Sequence, residues 1–240
     1  MDQLFSHPDD AMSHVLKDII KNLSIDCVVF GFEKQCMEVL LVKRAINPNK
    51  GKWALPGGFI KKGEKVEGAG QRILEATTGI KNIYLEEVAI FDDIKRFPLW
   101  RVFTIAHYAL VSPENYSLHP GIDTSAVQWF KLAELPELPF DHQEIVQAAL
   151  DKLRTRVRYK PIGFELLPQK FTLPRLQKLY EVILGKKLDK RNFRKKLTKM
   201  NLLKKLNEKD KTNKRRAANL YKFDKTTYNK LKDKGFIFEL

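Results

Sequence analysis

The stretch GGFIKKGEKVEGAGQRILEATTGI, from Gly57 to Ile80, restricts the possible folds more than any other part of the chain. Paired glycines allow a tight turn, a polar loop follows, and a helical segment then runs to Gly79, a residue type that ends helices readily. Where a divalent metal accompanies a bound phosphate, such a loop calls for helix carboxylates at i, i+3 and i+4. Hard divalent cations need several oxygen ligands on one face, and that spacing supplies them. Here Ile73 follows Arg72, Ala76 and Thr77 stand three and four residues after Ile73, and Glu75 lies about 100° around the helix from Ala76. The segment has the spacing of a phosphate-and-metal loop without its ligand set.

The surrounding sequence is strand-rich. Residues 24–32 (SIDCVVFGF) and 37–44 (MEVLLVKR) flank a polar turn at 33–35, the pattern of a hairpin. Residues 47–58 hold two prolines and three glycines and are expected to be mostly loop. Three further strands are expected in IYLEEVAIFDD, RVFTIAHYALV and AVQWFKLAEL. A helix then follows Asp141, with Ile145, Ala148, Ala149, Leu153 and Val157 on one stripe. Ahead of all these, Met12, Val15, Leu16, Ile19, Ile20 and Leu23 have helical spacing, so residues 1–23 read as an N-terminal helix. Residues 24–157 then form an α+β unit, a helix on each side of a mixed sheet.

The texture changes after residue 157. Residues 1–150 carry 16 basic and 20 acidic side chains, whereas residues 151–240 carry 28 and 9, so the excess positive charge lies wholly in the last part. Such a block beside a mildly acidic domain points to a polyanionic partner. Thr172, Pro174 and Gly185 mark the ends of one helix, and Asp189 caps a second. On the second, Phe193, Leu197 and Met200 stack inward and leave Lys190, Arg191, Arg194, Lys195, Thr198 and Lys199 outward. A basic loop over 207–218, with Lys209, Lys211, Lys214, Arg215 and Arg216, joins two strands. Helix, turn, basic helix and basic hairpin over 158–240 describe a winged helix-turn-helix. Double-stranded operator DNA is the expected partner, with arginines pairing base edges and lysines neutralising phosphates. Asn192 is either a base contact or a cap partner, and Asn219 and Tyr221 are expected to fix the wing.

The quoted box resembles the Nudix box, G-x5-E-x7-R-E-U-x-E-E-x-G-U with U aliphatic, and W-x-L-P-G-G-F (Trp53 to Phe59) supports the match. Of its charged set only Glu64 and Arg72 remain. The motifs LPFDH, IGFELLP, KFTLPRLQKLYE, LDKRNFRKKL and RRAANLYKF are similar to the Nudix-related transcriptional regulators, which fuse an often degenerate Nudix domain to a winged helix. The resemblance implies a Nudix-fold sensing domain for ADP-ribose or a sugar such as arabinose, with the arabinose-responsive branch the closer. It further implies a homodimer, with no cofactor, no bound metal and no hydrolysis. An active Nudix hydrolase with a basic appendage is the alternative.

For the effector, the candidate residues are Asp26, Arg44, Phe59, Arg96 and His142. Asp26 interrupts an apolar strand, so its carboxylate is expected to face a polar pocket or pair with Arg44 on the neighbouring strand. Arg96 lies in IKRFPLWR, where ADP-ribose-binding relatives resemble R-D-P-R and Phe97 replaces the acid. His142 follows Asp141, and the pair is either a helix cap or a ligand contact. His107 and His119 have no metal-ligand spacing. Cys27 and Cys36 are expected to be reduced thiols. No run reaches the ~20 apolar residues of a membrane span. Residues 1–24 lack a signal-peptide core, so a cytoplasmic protein is expected.

Overall fold

The computed structural model describes residues 18–210 and 217–233. Strands β1 (Ile19–Glu33) and β2 (Cys36–Arg44) form the expected hairpin, with Phe30 opposite Val39 and Glu33 opposite Cys36. Lys34 and Gln35 take left-handed φ values of 46° and 65°, the two-residue turn whose twist matches that of the strands.

Strands β3 (Trp53–Ala54), β4 (Gly57–Lys61), β5 (Glu86–Phe91), β6 (Phe103–Leu110) and β7 (Thr124–Lys131) complete a seven-stranded sheet. Its path is β3-β2-β1-β6-β5, with β4 also on β1 and β7 on β2. The sheet is mixed, since β1 and β6 run parallel while the other pairs are antiparallel. Alternate side chains of β1 serve opposite faces. Ile25, Cys27 and Val29 pack with Ile73 and Leu74 of helix α1 (Val66–Thr78). Val28, Phe30 and Phe32 share a core with Ile145, Ala149 and Leu153 of helix α2 (His142–Tyr159). Burial pushes the Cys27 thiol well above its usual range, consistent with an inert core thiol.

Residues 19–23, expected to end a helix, are instead the start of β1. Ile19 pairs with Lys61 and Leu23 with Phe103, so sheet ladders override the helical spacing. The rest of that expected helix, up to residue 17, lies outside the described residues.

The C-terminal part is a helix-turn-helix with a wing. After β8 (Phe171–Thr172) come α3 (Leu173–Leu184), α4 (Lys190–Met200), β9 (Leu203–Lys209), β10 (Asn219–Phe223) and α5 (Lys225–Asp233). The sheet order is β8-β10-β9. Thr172 accepts a hydrogen bond from the Arg175 amide at 3.3 Å, and Asp189 from the Asn192 amide at 2.8 Å, as the capping pattern predicts. Strand β9 reaches Lys209, two residues past the expected start of the loop, because Lys209 still pairs with Asn219. The anticipated boundary after residue 157 falls inside the last turn of α2. One apolar core runs from the sheet through Leu153 to Leu176, Tyr180, Phe193 and Leu197, so the winged helix is packed onto α2 rather than tethered to it.

Candidate ligand site and nucleic-acid interface

The box folds as its spacing implies, with α1 ending at Gly79 in the left-handed conformation (φ 80°). Its two surviving charges are spent on each other. Arg72 donates from Nε to Glu64 Oε1 at 2.7 Å and from Nη2 to Oε2 at 2.8 Å, and also to the Phe59 carbonyl at 3.0 Å. The hydrogen bond from Arg72 holds the Glu64 carboxyl below its ordinary range. Glu75 points outward to Lys81 at 2.7 Å. Ile73 is buried beside Gly58, and the Thr77 hydroxyl donates to the Ile73 carbonyl at 2.7 Å. The last carbonyls of α1 are closed by the following chain: the Ile122 amide donates to Ala76 at 2.9 Å and the His119 amide to Thr78 at 3.0 Å. Among the described residues no cluster of three or more His, Cys, Asp or Glu is arranged to hold a metal ion.

A buried charge cluster lies beside the box. Asp26 does not pair with Arg44; it meets Arg96, which reaches Asp26 Oδ2 at 3.0 Å and grips both carboxylate oxygens of Asp141 at 2.8 Å each. The Arg96 side chain is 5% exposed. Burial opposes its charge, but the Asp141 hydrogen bonds and the Asp26 and Asp141 carboxylates outweigh that and hold the guanidinium above its ordinary range. Asp141 therefore sits at the N-cap position of α2 without capping it, and the cap reading of this residue is corrected: the carboxylate is committed to Arg96. His142 accepts at Nδ1 from the Leu55 amide at 3.0 Å, and its Nε2 stands 3.6 Å from Asp26 Oδ1. Gly57 is required here, since a β-carbon would lie 2.2 Å from Asp26 Oδ1.

Half-buried aromatic rings adjoin this cluster. Phe59 stacks on Trp100 at 6.0 Å, Phe97 meets Phe59 edge-on at 6.3 Å and Trp100 at 5.0 Å, and Phe140 lies 5.7 Å from Phe97 and 5.3 Å from His142. Arg44 donates to the Pro48 carbonyl at 2.8 Å and lies over the Phe140 ring at 5.5 Å. Phe140 has φ 59°, a left-handed backbone that is costly for a bulky residue and recurs where a site fixes the chain. The five candidates thus gather in one place. Asp26, Arg96 and His142 are buried, while Phe59 and Arg44 are half-buried. Trp100 and Phe140 were missed; the aromatics crowded around proline in RFPLWR and LPFDH were the available signal.

Burial pushes the His142 imidazole below its usual range against the pull of Asp26. Above the unfolded-state value of about 6.5 this group costs nothing. Below it the unfolded chain takes up a proton that the fold resists, so stability falls with pH. Burial pushes His107 the same way. The urea midpoint is expected to drop between about pH 7 and pH 5, and His142→Gln should flatten part of that slope. An unaltered slope in the variant would show that His142 is not the resisting group.

On α4, Phe193 and Leu197 are buried, Phe193 against Tyr180 at 5.7 Å between ring centroids. The opposite face exposes Arg191, Asn192, Lys195, Thr198 and Lys199, with Lys190 and Lys196 exposed at its flanks. Arg194 departs from expectation: it is half-buried, and its Nε is enclosed with no hydrogen-bond partner among the described residues. Asn192 supplies the backbone amide capped by Asp189 and keeps its side chain exposed. Tyr221 pairs with Phe171 of β8 and Lys205 of β9, at the centre of the wing sheet. Lys211, Lys214, Arg215 and Arg216 lie outside the described residues.

Comparison with known proteins matches this architecture. Residues 21–149 fit the NUDIX domain, and residues 163–223 fit the NrtR DNA-binding winged helix domain. An ADPR-responsive transcriptional repressor of Acinetobacter baylyi is 31% identical over 211 residues, covering 86% of this chain and 84% of its own. Shewanella oneidensis NrtR complexed with a 27mer DNA superimposes with a TM-score of 0.74 at 32% identity, over 86% of this chain and 95% of that one. The NUDIX domain of the same NrtR complexed with ADP ribose matches 59% of this chain and 97% of its own, with a TM-score of 0.52 and 30% identity. The chain therefore belongs to the Nudix family, in the group whose Nudix domain is followed by an NrtR-type DNA-binding winged helix.

Proposed function

We propose that this chain is a ligand-responsive transcriptional regulator in which a Nudix domain without hydrolytic activity senses ADP-ribose and a winged helix binds operator DNA. The observation that carries the reading is the joining of an NrtR-type winged helix to a Nudix box with Ile73, Ala76 and Thr77 at its ligand positions and Glu64 tied to Arg72. Two-metal chemistry needs oxygen ligands where this helix has a buried isoleucine, an alanine and a threonine bonded to its own backbone. The relatives named above bind or respond to ADP-ribose, so that nucleotide takes precedence over the arabinose suggested by the sequence motifs. Phe59, Phe97, Trp100 and Phe140 offer flat apolar faces, and Arg44 a cation beside them.

We assign sensing to residues 24–157, extended forward to Ile19, and DNA binding to 158–240. Arg191, Asn192, Lys195 and Lys199 face the major groove. Lys190 and Arg194 stand beside them, and the DNA-binding assignment also takes in Lys214, Arg215 and Arg216, which lie outside the described residues. A cytoplasmic homodimer places two such helices on two half-sites. No helix among the described residues is long and apolar enough to cross a membrane.

Calorimetry with ADP-ribose, paired with phosphate-ester product analysis in Mg2+ or Mn2+, tests the sensing claim. Binding without turnover is expected. Turnover at enzymatic rates would favour the hydrolase reading, and binding of arabinose in place of ADP-ribose would overturn the effector assignment. Affinity for a duplex selected by the protein from a randomised library is expected to fall about 10³-fold or more between 50 and 200 mM salt if six or more phosphates are contacted. A flat salt profile would reject the basic face as the interface.

A further inference from the structure

We infer that Asp141 and Arg154, at opposite parts of α2, couple the proposed ligand site at the aromatic cluster to α4, the helix assigned to the major groove. Neither residue touches DNA in this reading. The inference rests on the proposed function, because it names how occupation of that site is transmitted.

The chain of contacts is continuous. Residues 92–101 carry Phe97 and Trp100 into the aromatic cluster, and between β5 and β6 this segment is held down by Arg96 on Asp141, at the start of α2. Phe97 is already packed on Phe59, Trp100 and Phe140, so a ligand that inserts among those rings has to move it, and Arg96 is the adjacent residue. Its bidentate grip transfers the displacement to Asp141 rather than to a flexible loop. From Asp141 to Arg154 the helix covers about 20 Å. Ile145, Val146, Ala149, Leu150 and Leu153 are buried along it, so the helix moves as one packed body.

The far end meets the DNA-binding unit. Arg154 Nε donates to the Ile183 carbonyl at 3.0 Å, in the last turn of α3. Two residues on, Gly185 ends that helix in the left-handed conformation at φ 66°. The turn leading to α4 is itself pinned: the Leu188 amide donates to Glu181 Oε1 at 3.0 Å, and Gln177 Nε2 donates to the Leu188 carbonyl at 3.0 Å. Asp189 then caps α4. A shift of α2 therefore reaches the recognition helix through a short turn with little slack, and in a dimer it alters the match to two half-sites.

Two measurements test the coupling. In ligand-free protein, Asp141→Asn removes one charge of the clamp and is expected to speed amide hydrogen exchange at Leu188 about fivefold or more, although Leu188 lies at the other end of the path. The second uses Arg154→Ala, at a half-exposed position in contact with neither the aromatic cluster nor the exposed face of α4. In wild type, ADP-ribose is expected to change the affinity for the selected duplex by about 5- to 150-fold. In Arg154→Ala that ratio should fall towards one while ADP-ribose affinity, measured without DNA, and the melting temperature stay near wild type. Arg154→Lys, which keeps a donor, should restore part of the ratio. Unchanged Leu188 exchange in Asp141→Asn, or a wild-type ratio in Arg154→Ala, would overturn the coupling. A wild-type protein indifferent to ADP-ribose would instead defeat the proposed effector, and the exchange measurement would still decide the coupling.

Discussion

Replacing Arg191 and Lys195 together by alanine is expected to weaken binding to the selected duplex by about 100- to 1,000-fold, since a bidentate base contact contributes roughly 1–3 kcal/mol and a phosphate contact adds to it. Both side chains are exposed on α4 opposite Phe193 and Leu197, so the melting temperature should not move. The salt dependence should also become shallower, because at least one phosphate contact is lost. Arg194→Ala serves as the contrast. Arg194 is half-buried with an enclosed Nε, and its loss should act more on stability than on base recognition. Duplex affinity that survives the double change, measured by fluorescence anisotropy at moderate salt, would move the recognition surface away from α4.

Arg96→Ala should destabilise the Nudix domain by about 3–5 kcal/mol, the usual result of leaving buried carboxylates without their partner. For a chain of this size that lowers the melting temperature by roughly 10 °C. Asp26 and Asp141 are each 9% exposed at the side chain, so solvent cannot easily replace the guanidinium. Arg96→Lys keeps the charge but cannot grip Asp141 with two donors, and an intermediate loss is expected. A shift of only a degree or two in Arg96→Ala, by calorimetry, would mean that the clamp is open in solution.

The sequence revealed what is local. The β1–β2 hairpin, the Thr172 and Asp189 caps and the Gly79 and Gly185 helix ends depend on residues within a few positions of each other, and each is found where its pattern places it. The site was legible only in part. Asp26 was identifiable because a carboxylate in an apolar strand needs compensation. Of the two alternatives for it, a polar pocket or Arg44, the Arg44 pairing failed, since Arg44 lies on the adjacent strand while Arg96 arrives from a loop 70 residues away. Only the parallel pairing of β1 with β6, and the return of the chain to Asp141, bring those groups together. The start of β1 failed for a related reason. Ile19, Ile20 and Leu23 satisfy helical spacing, yet pairing with β4 and β6 is a long-range gain that periodicity cannot register. On α4 the heptad-like spacing correctly buried Phe193 and Leu197, but it did not resolve the flanks, where Arg194 is half-buried and Lys196 exposed.

The most direct test of the account follows one duplex and one nucleotide in the same cuvette. Wild-type protein on the labelled, selected duplex is titrated with ADP-ribose in the presence of Mg2+, anisotropy is recorded, and the nucleotide is recovered afterwards. A saturable change in duplex binding is expected, with the ADP-ribose returned intact. Duplex binding indifferent to ADP-ribose, or a nucleotide recovered as AMP and ribose phosphate, would contradict it.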